Sequence, residues 1–90
     1  MDTYKEYLSA ALSEEVIRLI DAIDQPSSYQ CDNENVVHYG LVREKYGVVC
    51  GLERAAELAG LDYTEIQLIK EQAAKTRNTN WDAILRKIQY

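Results

Sequence analysis

The 90-residue chain contains no phenylalanine, one histidine, one proline, four glycines and two cysteines. Each scarcity excludes something. Two cysteines, Cys31 and Cys50, cannot build the multi-bridge framework of a small secreted domain, and both are expected as free thiols. Cys50, inside the apolar run Val48-Val49-Cys50, reads as a small buried hydrophobe. Cys31, Asp32, His38 and Cys50 match no zinc framework, since a close Cys pair and a second histidine are both missing. His38, the only histidine, reads as a hydrogen-bonded helix residue rather than a general base. No phosphate-binding glycine loop, dinucleotide fingerprint or nucleophile elbow occurs, so neither an enzyme nor a cofactor is expected. No apolar run approaches the ~20 residues of a membrane span. The opening Met1-Asp2-Thr3-Tyr4-Lys5-Glu6 lacks the order of a signal peptide, and a cytoplasmic protein is the expectation.

What is present is a modest core. The 22 Leu, Ile and Val residues argue against wholesale disorder, and the length fits a single domain over residues 1–90. So short a chain buries only about 60–65% of its unfolded surface, which favours a partner or a homodimer to add burial. Net charge is −5 and unevenly spread. Residues 1–45 carry 4 basic and 9 acidic groups, whereas residues 46–90 carry 6 of each. Lys75, Arg77, Arg86 and Lys87 make the last stretch locally basic. An acidic chain is not drawn to nucleic acid as a whole, although that end can still meet phosphates.

Apolar periodicity places an all-α domain, a small bundle of four to six helices. Leu12, Val16, Leu19, Ile20 and Ile23 form one helical stripe, with Ser13 as its expected N-cap and Pro26 beyond its end. The residues before Ser13 fit a helix or a short strand, and their composition favours the helix. Residues 25–35 read as a loop. A second helix is expected from about Glu34 to Tyr46, burying Val37 and Leu41, with Val36 and Val42 as further candidates, and ending at Gly47, with residues 48–50 as a connector. Then come a short helix from Leu52 to Ala59, a helix from Tyr63 to Thr76, and a last helix from Trp81 to Ile88 capped by Asn80.

The stretch from about 52 to 76 has the pattern of a helix-turn-helix. Ala56 is small where two helices would cross, and Gly60 suits a positive φ in the turn. Leu61 would plug the turn, while Ile66 and Ile69 would pack the second helix back on the first. Asp62, with Glu65 three residues on, resembles a capping box. The outer face of that second helix would offer Tyr63, Thr64, Gln67 and Lys70 to DNA, with Lys75 and Arg77 as phosphate clamps. An αα-hairpin with a glycine cap fits the same residues.

The run Gly51-Leu52-Glu53-Arg54-Ala55-Ala56-Glu57-Leu58-Ala59-Gly60-Leu61-Asp62-Tyr63-Thr64-Glu65 resembles the core motif of a family of small prokaryotic antitoxin-like proteins, commonly paired with PIN-domain ribonuclease toxins. The resemblance implies a dimeric antitoxin or small transcriptional regulator and transfers no catalytic residue. After Glu65 the chain departs from it, with Ile66 and Gln67 in place of an aromatic-rich start. Residues 12–21 more faintly resemble the first helix of ribbon-helix-helix repressors.

Two functions therefore stand side by side. One is a helix-turn-helix regulator, antitoxin-like, that binds DNA, neutralises a protein partner, or does both. The other is an acidic inhibitor of a nuclease, comparable in composition to phage-encoded inhibitors such as anti-CRISPR proteins. In that case Glu14, Glu15, Asp21 and Asp24, with Asp32 and Glu34, would mimic phosphates. Trp81 either closes the core or anchors a C-terminal helix on a partner.

Overall fold

A computed structural model describes residues 3–24 and 32–88, with side chains in the second segment from residue 40 onward. The described residues form four helices: α1 (Thr3–Asp24), α2 (Asp32–Leu58), α3 (Tyr63–Lys75) and α4 (Trp81–Ile88). The all-helical expectation holds. Two of the expected interruptions do not.

α1 runs unbroken through Ser13, which lies mid-helix rather than at a cap. The apolar stripe extends back to Leu8, so the core holds the earlier turns in helix. Leu12, Val16 and Leu19 are fully buried, Ile20 nearly so, and Ile23 half-buried. α1 packs along both α2 and α3, whereas α2 and α3 touch each other little. Ile66, buried, and Ile69, partly buried, secure α3 in the one core that all four helices share.

α2 is one 27-residue helix where the sequence suggested two and a connector. Gly40, Gly47 and Gly51 lie within it, and none breaks it. A terminating glycine takes a positive φ. Among the described residues only Gly60 (φ 104°) and Asn78 (φ 58°) do so. Val42, Val49 and Ala56, seven residues apart, are buried against the rest of the molecule, and their burial offsets the ~1 kcal/mol that each helical glycine costs. Leu41, expected in the core, is exposed, and so is Cys50. Helical continuity gives the inward position to their neighbours Val42 and Val49. Val36 and Val37 lie outside the described side chains, as does His38, and Cys31 lies outside the described residues.

Two hydrogen-bonded turns end the helices that follow the expected plan. Leu61 N–H donates to the Ala56 carbonyl and Gly60 N–H to that of Glu57, both at 3.0 Å. This is the Schellman pattern, with Leu61 buried against Ala56. The same pattern closes α3, where Thr79 N–H donates to Ala74 (3.1 Å) and Asn78 N–H to Lys75 (3.0 Å). Asp62 Oδ1 caps α3 by accepting from Glu65 N–H at 2.9 Å. Asn80 Oδ1 caps α4 through Ala83 N–H, also at 2.9 Å.

The two kinds of glycine respond oppositely to a methyl group. Ala at Gly60 would force a side chain into the left-handed region and is expected to lower stability by about 1–2 kcal/mol. Gly47 is helical with open space around its Cα. Gly47→Ala is expected to raise stability by about 0.5–1 kcal/mol. Urea denaturation followed by circular dichroism checks both signs.

Candidate functional site

α3 begins directly after the Gly60 turn, which fixes its first turn and points Tyr63 and Thr64 into solvent. Along its outer face Gln67 is half-buried, while Leu68 and Lys75 are exposed. These residues share a surface, as the sequence suggested. Lys70 does not join them. It is 4% exposed, ion-paired to Glu53 of α2, and its ammonium lies 4.7 Å from the centroid of the Trp81 ring. Its expected role at bases or phosphates is therefore corrected to a structural one. Lys70 sits four residues after Ile66 and three before Ala73, on the apolar stripe itself. That spacing was a signal in the sequence, masked by the residue's charge.

Trp81 is likewise buried rather than offered to a partner. Its indole stacks near Tyr46 at 6.5 Å and 29°, and its backbone N–H donates to Glu71 Oε1 at 3.3 Å. Burial, with Cys50 and Glu53 nearby, pushes the Tyr46 hydroxyl above its ordinary pKa. A buried ammonium is costly unless paired, and here a carboxylate and an aromatic face both serve it. This cluster joins α2, α3 and α4.

The acidic residues of α1 are also spoken for. Glu14 and Glu15 pair with Arg18 one turn on, the latter at 3.0 Å. Asp21 receives two hydrogen bonds from Arg77, at 2.8 and 3.1 Å. Asp24 lies 3.4 Å from Lys87. The expected phosphate clamp Arg77 and the expected phosphate mimic Asp21 thus hold each other across α1 and the end of α3. The Arg77 guanidinium holds the Asp21 carboxyl below its usual 3.8. Both residues are exposed, and an exposed pair of this kind adds little stability and is weakened by salt. Lys75 has no ion-pair partner among the described residues.

Exposed apolar residues form the remaining feature: Tyr4 and Tyr7 on α1, Leu41, Val48 and Leu58 on α2, and Tyr63 and Leu68 on α3. Sequence reasoning missed this outward side of α2 because it placed Leu41 in the core and Val48 in a connector between two helices. No group of metal-ligating side chains occurs among the described residues, nor a helix long and apolar enough to cross a membrane.

Two outcomes check this geometry. Glu53→Ala strands the Lys70 ammonium and is expected to cost about 3 kcal/mol, whereas Glu53→Ala with Lys70→Met recovers most of it, read by chemical denaturation. A depressed folded-state pKa means that the stabilisation from Asp21 is complete above 3.8 and fades as pH falls through the lowered value. Carboxyl NMR titration should find Asp21 titrating below 3.8 and returning toward it in Arg77→Ala.

The chain matches no protein-family model, and comparison with curated proteins and with solved structures finds none that is similar.

Proposed function

We propose that the protein is a small helix-turn-helix regulator that presents α3 to DNA, with Tyr63, Thr64 and Gln67 toward base edges and Lys75 toward phosphate. The observation that carries this reading is the Gly60 turn. A fully buried Ala56, a left-handed Gly60, a buried Leu61 and a buried Ile66 follow one another at the spacing the motif needs, and the outer face of α3 is left uncovered. An antitoxin-like pairing with a protein toxin accords with this reading, since Tyr63 and Leu68 are exposed beside the polar residues and suit a protein surface. The regulator would act as a homodimer, as reading two half-sites requires.

The acidic-inhibitor reading has less support. Glu14 and Glu15 share Arg18, and Asp21 and Asp24 are met by Arg77 and Lys87, so that three cations serve the four carboxylates and α1 does not present a bare acidic face. Such a mimic works by leaving its carboxylates for the partner's cations.

Selection from a random pool of duplexes, followed by anisotropy titration, tests the proposal. An enriched sequence is expected. Gln67→Ala should relax one position by about 1–3 kcal/mol, while Lys75→Glu should weaken all sequences alike and flatten the salt dependence. Absence of any enriched sequence overturns the DNA reading. Loss of a protein complex on Glu15→Lys with Asp21→Lys, but not on Lys75→Glu, would install the acidic inhibitor instead.

A further inference from the structure

The outward side of α2 carries a second apolar seam, separate from the one that builds the core. Leu41, Glu44, Val48, Gly51, Ala55 and Leu58 follow at alternating steps of three and four residues, the spacing of a coiled-coil face. Leu41, Val48 and Leu58 are 39%, 43% and 79% exposed, although each has a large apolar side chain. The core residues Val42, Val49 and Ala56 lie on the other side of the same helix. A helix that needs only one buried face has no use for this second one.

The seam is complementary to itself when run antiparallel. Set against its own reversed copy about a two-fold axis between residues 49 and 50, Leu41 meets Leu58 of the partner subunit. Glu44 meets Ala55 of the partner subunit, and Val48 meets Gly51 of the partner subunit. Large thus faces small in the middle, and leucine faces leucine at both ends. Glu44 also comes beside Arg54 of the partner subunit, on the same edge of the seam. Neither Glu44 nor Arg54 has an ion-pair partner among the described residues, unlike Glu14, Glu15, Asp21 and Asp24 of α1. With Glu53 turned inward to Lys70, the charges left at 41–58 are Arg43, Lys45 and Arg54 against Glu44 and Glu57, so α2 lacks the acidic excess of the whole chain. In a parallel arrangement Glu44 would face Glu44 and lose the pairing.

We infer that α2 is the homodimer interface, an antiparallel pair of helices sealed by Leu41, Val48 and Leu58 and fixed in register by two Glu44–Arg54 ion pairs. The contact runs about 25 Å along the helix. It carries the two Gly60 turns to opposite ends of the assembly. This inference rests on the dimeric part of the proposed function and is independent of whether α3 reads DNA.

Sedimentation equilibrium of the full chain tests it, with circular dichroism to report folding. The wild type is expected at twice the 10.3 kDa of the chain. Val48→Glu replaces an exposed side chain and should give a folded monomer. Glu44→Arg or Arg54→Glu alone should weaken the dimer at least about tenfold, and the double reversal should restore it. A wild-type monomer, a dimer indifferent to Val48→Glu, or single reversals that the double does not repair would each overturn the inference. Duplex binding by a monomer would leave the DNA reading standing while this one falls. A dimer that selects no duplex would do the reverse.

Discussion

The burial of one stripe on α1 is the constraint on which the other elements depend. Leu12, Val16 and Leu19 are removed entirely from water, and α2 and α3 both lie against the helix that carries them. Because α1 touches both α2 and α3 more than they touch each other, the angle between them is set chiefly by the helix beneath, with the Lys70–Glu53 pair as the link across. The Gly60 turn supplies the chain reversal, and α1 supplies the rigidity. A surface on α3 can be held in place this way even in a domain too small for a deep core.

Charge is arranged with a similar economy. The acidic excess of the first half and the basic residues near the end meet in space: Asp21 with Arg77, and Asp24 with Lys87. These exposed pairs steer the ends of the chain together more than they stabilise it. Lys70 is the contrasting case, since its ammonium is withdrawn from water and held by Glu53 and the face of Trp81. There the charge specifies how three helices meet. Lys75 on α3 and Glu44 and Arg54 on α2 are among the described charges that enter no ion pair.

Much of this was legible in the residues. Asp62 and Asn80 announced helix starts because their short side chains can accept from an N–H three residues on, and both do so. Gly60 announced a reversal because glycine takes a positive φ without a Cβ clash, and its φ is 104°. Leu12, Val16, Leu19 and Ile20 announced a buried face by spacing alone. Gly47 misled, because local propensity cannot register that Val42, Val49 and Ala56 are held on one long helix by distant partners. Lys70 misled for a related reason. A lysine on an apolar stripe looks exposed until its counter-charge, seventeen residues earlier in the chain, is known to lie beside it.

The sequence by itself determined that the chain is helical, where α3 and α4 begin, and which stripe of α1 is buried, because capping and periodicity act between residues within one or two turns of each other. Only the tertiary structure decided that α2 is continuous, that Lys70 and Trp81 face inward, and that Asp21 of one charged surface is held by Arg77 of the other. Those outcomes depend on pairs of residues far apart in the chain, and no local pattern encodes who meets whom.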